Sequence, residues 1–273
     1  MKEQIKNIIG NLLLVLFPKK AISLERRGFT MKNPKYSLIE RQMCHAILNK
    51  AETKNNFDKL SKIHSNYWTN QGKDVFSMSE SFKNNFLPNC TFLLDILKEK
   101  FFKNEIQFNI LVEIGTGNGD VLHYLASTFP EIDKFIGIDL SIEQIKINQE
   151  KYKENIRLEF IDSDAFEWVK KEGRENMIFM TSNGVFEYFT EQQLREFIKY
   201  TNNLGQALFI IIEPNVLNHN FELNSNSIVY GIEKSFSHNY SKIFQDYGFE
   251  IFHHSKKQLQ NYNCEMNYIL AGN

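Results

Sequence analysis

Residues 111–120 read Leu-Val-Glu-Ile-Gly-Thr-Gly-Asn-Gly-Asp, and no other stretch leaves the backbone fewer options. An apolar run enters Glu113, glycines stand at Gly115, Gly117 and Gly119, and an amphipathic segment follows from Val121. That order is a strand, a tight turn and the start of a helix. Glycine accepts positive φ and lets another molecule approach the backbone closely. The first turn of the helix then offers unpaired N–H groups to anionic or polar ligand atoms. The dinucleotide fingerprint spaces its glycines G-x-G-x-x-G and carries its acid at the end of the next strand. Here an acid, Glu113, precedes the turn, and the last glycine comes one residue early. No Gly-Lys-Ser/Thr follows, which argues against a phosphate-binding P-loop.

A length of 273 residues admits one large domain or one domain with an extension. Apolar residues make up 42% and 24 are phenylalanine, ample for a packed core. Cys44, Cys90 and Cys264 are scattered, an odd set without C-x-x-C spacing. That usage reads as reduced thiols in a cytoplasmic protein, with no zinc site. The net charge of −1 hides an asymmetry: residues 1–105 carry 18 Lys and Arg against 10 Asp and Glu, and the remainder 14 against 23. A basic front and an acidic back suggest an anionic contact for the front, or two solvated surfaces that differ.

Ile5, Ile8, Ile9, Leu12, Leu13 and Leu16 share a helical stripe that Pro18 ends, with Lys2, Lys6, Lys19, Lys20, Arg26 and Arg27 around it. The apolar run 12–17 is far shorter than the ~20 residues of a membrane span, and no Ala-x-Ala cleavage site follows it. Residues 1–20 could therefore lie at a membrane interface, meet a protein partner, or dock on the protein's own body. Helical stripes at 37–50, 57–68 and 92–102, with a polar turn at 70–73, make the region 1–105 mostly helical. From residue 106 strands alternate with helices, which predicts a mainly parallel sheet with helices on both faces. The strands are expected at 109–114, 135–139, 158–161, 177–180, 207–212, 248–251 and 266–270, with a helix over 234–247.

In an open α/β sheet ligands bind at the carboxyl ends of the strands. Polar residues stand at those ends in order: Gly115 after the first, Asp139 after the second, Asp164 after the third, Ser182 and Asn183 after the fourth. Asp139 follows Gly119 by 20 residues, near the interval expected for a carboxylate that grips ribose hydroxyls. Taken alone, each acid could be no more than a helix N-cap.

The Glu113-x-Gly115-x-Gly117-x-Gly119 spacing resembles motif I of the class I S-adenosylmethionine (SAM) dependent methyltransferases, and the resemblance covers residues 107–273. It implies a Rossmann-like seven-stranded, mostly parallel sheet, here a core over 106–273 beside the N-terminal helical region. It implies SAM as cofactor, with Glu113, Gly115, Thr116 and Gly117 around its methionine part and Asp139 on the ribose. Leu140 and Ile142 would lie near the adenine, Asp164 would accept from its amino group, and Ala165 would offer its backbone. Ser182 and Asn183 complete the expected cofactor wall. The stretch 57–68 resembles the segment that small-molecule methyltransferases fold over the cofactor, with Tyr67 as the aromatic. Where the family often begins its fourth strand with Phe-Asp, this chain has Glu175-Asn176-Met177, a departure that bears on strand anchoring.

Methyl transfer from a sulfonium needs alignment, and for a hydroxyl acceptor a general base. Glu187 and Tyr188 after the fourth strand and His219 after Pro214 are the candidates, with His64 a further one. Nucleic-acid methylation is disfavoured: Ser182-Asn183-Gly184-Val185 replaces the Asn/Asp-Pro-Pro-aromatic motif, and the positive charge lies outside the acidic core. The run 184–188 more closely resembles the small-molecule type, so the expected acceptor is a small molecule, a sugar or a lipid-linked metabolite. The competing reading is a catalytically silent relative that docks a partner through its basic N-terminal helix. An NAD(P) oxidoreductase is opposed by the glycine spacing.

Overall fold

The computed structural model describes residues 2–31, 33, 35–76, 80–103, 108–258 and 263–273; the expected boundary at 105/106 lies outside them. The front of the chain is helical: α1 (Lys2–Leu16), α2 (Pro18–Arg27), α3 (Leu38–Thr53), α4 (Phe57–Phe76), a π-helical turn at Phe82–Phe86, and α5 (Leu87–Lys103). Pro18 ends α1 and opens α2, since a residue in the first turn has no use for an N–H. The chain bends by 103° between the two. Ser37 starts α3 with a reciprocal capping box to Glu40. The turn expected at 70–73 is instead the body of α4. Asn70 and Gln71 spend their amides on the carbonyls of Arg27 and Gly28 at the end of α2, so these polar residues join two helices. Leu24, Phe29, Met43, Ile47, Leu60 and Ile63 form a small core here, which also takes Phe236 from the far end of the chain.

The remainder runs β1 (Ile110–Ile114), α6 (Asp120–Thr128), β2 (Lys134–Asp139), α7 (Ile142–Lys151), β3 (Leu158–Asp162), α8 (Ala165–Glu172) and β4 (Met177–Thr181). A 3-10 turn at Phe186–Tyr188 leads to α9 (Glu191–Asn203), β5 (Ala207–Val216), β6 (Ile228–Tyr230), β7 (Ser235–Ser237), α10 (Tyr240–Asp246), β8 (Glu250–Gln258) and β9 (Cys264–Gly272). Seven strands form one sheet in the order β3-β2-β1-β4-β5-β9-β8, parallel except that β9 runs against both neighbours. Helices cover both faces, so the central strands read as unbroken apolar runs whose alternate residues enter opposite layers. Val112, Phe179 and Ile211 enter one layer, while Leu111, Ile178 and Ile210 enter the other together with Leu93, Leu94 and Leu97 of α5.

The Rossmann-like sheet with its N-terminal helices is the fold the sequence predicts; the end of the chain differs. No helix spans 234–247. Ser235–Ser237 pairs with Ile228–Tyr230 as a hairpin, with Gly231 and Lys234 at positive φ in its turn, and Asn239 then caps the short α10. β5, β8 and β9 each outrun their expected ends. Past the parallel sheet β5 keeps pairing with β9, Ile212 opposite Tyr268, Pro214 opposite Met266 and Val216 opposite Cys264, as a ribbon standing above the sheet edge. Strand order reverses between β1 and β4, which is where an open α/β sheet offers a crevice.

Candidate active site

A cavity of about 1740 Å³ opens over the carboxyl ends of β1 to β5. The turn after β1 forms part of its wall. Gly115, Gly117 and Gly119 all have positive φ, at 70°, 53° and 74°. A side chain at Gly115 would meet Val185 at 2.5 Å, so the turn and the loop after β4 are in contact only because glycine stands there. Gly115 and Thr116 donate their N–H groups to Ile138 O at 2.8 and 3.0 Å, tying the turn to β2.

Asp139 ends β2 with one carboxylate oxygen on Gly117 N at 3.0 Å and the other on Ser141 N at 2.9 Å. Burial raises its pKa, and the backbone bonds from Ser141, Gly117 and Leu140 oppose that rise. Asp164 caps α8, its Oδ1 accepting from Phe166 N at 2.9 Å and Glu167 N at 3.1 Å. Leu140, Ala165, Ser182 and Asn183 stand beside these acids on the same wall. The structure thus brings together the residues expected at the ends of the first four strands.

Two expected cofactor residues stand elsewhere. Glu113 is fully buried behind the glycine turn and does not reach the cavity wall. It accepts from Thr116 Oγ1 at 2.7 Å through Oε2, while Oε1 is buried short of a hydrogen bond. Burial pushes its pKa up to about 7, against the pull of Ser182 and Thr116. Tyr67 is buried too and turned from the cavity; its backbone N would lie 2.0 Å from a Cβ at Gly28, so close packing against the end of α2 fixes which face of α4 looks in. Trp68, the next residue, lines the cavity.

Glu213, at the end of the apolar part of β5, orders the loop after β4. It is completely buried, and its carboxylate accepts from Val185 N at 2.8 and 3.0 Å, Phe186 N at 3.0 Å and Glu187 N at 3.2 Å. Desolvation still dominates and lifts its pKa to about 7. Sequence reasoning passed over it; a lone acid closing an apolar strand before a proline was the available signal. Along the ribbon above, alternate residues divide their work. Glu213, Asn215 and Asn267 face one way, where Asn267 Nδ2 donates to Glu213 O at 3.1 Å and Asn215 exchanges two hydrogen bonds with the His238 backbone. Ile212, Pro214, Val216, Cys264, Met266 and Tyr268 face the other way, onto the cavity. Phe82, Phe86 and Cys90 close the same side from the front of the chain.

The candidate bases differ in their access to the cavity. Glu187 lines the cavity, and Tyr230 donates to its Oε2 at 2.9 Å. Tyr188 also lines the cavity, but burial first, then the nearby Glu187 charge, raise its pKa well above the ordinary value and keep it protonated. His219 is not on the cavity wall; its ring nitrogens are held by Ser237 Oγ and Asn224 O, both at 3.1 Å. His64 is buried with its ring 4.8 Å from that of Tyr188, and burial lowers its pKa to about 4.

Residues 111–204 match a family model described as a methyltransferase domain. No curated protein sequence matches the chain. Among solved structures, the chain is similar to magnesium protoporphyrin IX methyltransferase from Synechocystis PCC 6803 with bound SAM: TM-score 0.53 and 14% identity, over 78% of this chain and 96% of that one. It is also similar to the N-methyltransferase NodS from Bradyrhizobium japonicum WM9 in complex with S-adenosyl-l-homocysteine, with a TM-score of 0.51 and 12% identity, over 76% of this chain and 98% of that one.

Proposed function

We propose that the chain, whose residues 111–204 match a methyltransferase domain, is a class I SAM-dependent methyltransferase that methylates a small molecule held beside the β5–β9 ribbon. The observation that carries the reading is one cavity with two unlike walls. Gly115, Gly117, Asp139, Asp164 and Ser182 make one wall polar, and Ile212, Val216, Met266, Phe82 and Phe86 make the other apolar.

The residues present fit SAM. A cationic ligand suits a wall bearing the Asp139 and Asp164 carboxylates. Asp139 would hold the ribose hydroxyls, Leu140, Asp164 and Ala165 the adenine, and the glycine turn the methionine part. Glu113, through Thr116, would keep that turn in shape. Bound SAM supplies a methyl group on a sulfonium that is already activated for displacement.

The chain's own part is to position an acceptor and manage its proton. Glu187 takes the proton from an acceptor hydroxyl or ammonium, and Tyr230 holds the carboxylate in place. Trp68, Phe82 and Phe86 keep water out, with helices of the front of the chain as a cover over the cavity. The apolar wall favours an acceptor with a substantial apolar body. The first test is calorimetric titration of SAM and S-adenosylhomocysteine, followed by methyl transfer from labelled SAM to a panel of hydroxyl- and amine-bearing small molecules. Micromolar binding of both ligands is expected; binding of neither overturns the reading.

A further inference from the structure

Over residues 6–16 the outward face of α1 is more apolar than the face with which it packs. Toward α3 it turns Asn7, which accepts from Asn49 Nδ2 at 2.6 Å, and Gly10, where a Cβ would lie 2.6 Å from Ala46. Leu13 and Leu14 are the partly buried apolar residues of that face. Ile8, Ile9, Leu12, Val15 and Leu16 repeat at helical spacing on the opposite side. Leu12 is 57% and Val15 76% exposed. Asn7 against Asn49 and Gly10 against Ala46 make the two helices antiparallel, so the end of α1 lies beside the start of α3. There Leu38 is 81% and Ile39 48% exposed, and Phe17 and Ile22 carry exposed apolar surface around the bend into α2. Single exposed apolar side chains are ordinary; a contiguous set rimmed by charge marks an interaction surface.

The rim is cationic. Lys19 and Arg26 of α2 are exposed, and Lys20 and Arg27 share the one carboxylate of Glu40 at 3.5 Å each. Glu25, the acid of α2, is taken by Lys59 at 2.6 Å. Among the described residues no single helix is long and apolar enough to cross a membrane; α1 and α2 together are, but they are bent by 103°. Such a surface can lie on a bilayer without spanning it.

We propose that the α1–α2 elbow docks the protein on an anionic lipid surface, with the apolar stripe at the headgroup–acyl boundary and the basic side chains of α2 over the headgroups. A second copy of the chain is the competing occupant. A twofold contact brings each patch onto itself and sets the cationic rims against one another, whereas anionic lipid supplies the opposite charge. The inference does not depend on the methyl acceptor.

The test is sedimentation of the full chain with vesicles of phosphatidylcholine alone or mixed with phosphatidylglycerol, beside its solution mass by light scattering. Binding to the mixed vesicles alone is expected, with release by salt. Leu12→Gln with Val15→Gln should weaken it by at least about tenfold through lost apolar insertion. Lys19→Gln with Arg26→Gln should cost about fivefold per charge. All four side chains are exposed, and an unchanged thermal melt confirms that each variant folds. Absence of wild-type binding, or equal binding by the apolar variant, overturns the proposal. A dimer in solution that the apolar variant splits also overturns it, making the patch a self-interface.

Discussion

Tyr230 donates its hydroxyl to Glu187 Oε2 at 2.9 Å, joining the β6 hairpin to the loop after β4 at the cavity wall. If Glu187 is the base and Tyr230 positions it, Glu187→Gln should lower kcat by about 10²–10⁴ and leave SAM affinity unchanged. Tyr230→Phe should lower kcat about tenfold, the worth of one hydrogen bond to a charged group. The double variant should be no worse than Glu187→Gln alone, because the two act as a unit. Additive losses would separate them.

Asp139 faces the cavity with a carboxylate that also pins Gly117 N and Ser141 N. Asp139→Ala should weaken SAM binding by about 1–3 kcal/mol through loss of a charged acceptor. Asp139→Asn keeps one acceptor oxygen and should fall between the two. Calorimetry checks both, and unchanged affinity removes the ribose assignment.

Gly119 has φ +74°, and a Cβ there would lie 2.8–2.9 Å from the rings of Phe160 and Tyr152. Gly119→Ala therefore combines a left-handed backbone cost of about 1–2 kcal/mol with a clash against packed rings. Thermal unfolding should show a lower Tm; an unchanged Tm would mean that the turn can relax.

Glu213 has a folded-state pKa of about 7 against an ordinary 4.5. A carboxyl with a raised folded pKa binds its proton more tightly in the folded state. Its contribution is fully present below pH 4.5 and is lost as pH rises through about 7. The full span is worth on the order of 3 kcal/mol. Glu213→Gln should flatten the fall of Tm with pH across that window, and an unaltered slope would assign the dependence elsewhere.

The glycine turn was legible because positive φ and close approach are local demands that glycine alone meets. Asp139 and Asp164 were legible because a parallel strand delivers its last residue to the same edge every time. The hold of Glu213 on the N–H groups of residues 185–187 was not, because strand pairing decides it across 26–28 residues of chain. Tyr230 was hidden for a similar reason, since the sequence around it read as loop and helix where a short hairpin forms. Tyr67 and Trp68 are neighbours on one helix, and close packing of Gly28, not spacing, decides which of them looks into the cavity.

The ribbon supplies the sharpest division between the two ligands. Val216 is half-buried and faces the cavity from the part of β5 that lies beyond the parallel sheet, opposite Cys264 of β9. The polar strand ends lie below it, at Gly117, Asp139 and Asp164. A tryptophan at this position adds bulk on the apolar side of the cavity. Val216→Trp should therefore leave SAM affinity within about twofold, a change of well under 1 kcal/mol, while methyl transfer falls by at least about a hundredfold through a displaced acceptor. Equal loss of SAM binding and transfer would mean that one ligand occupies both walls, and the acceptor would then have to be sought at another face.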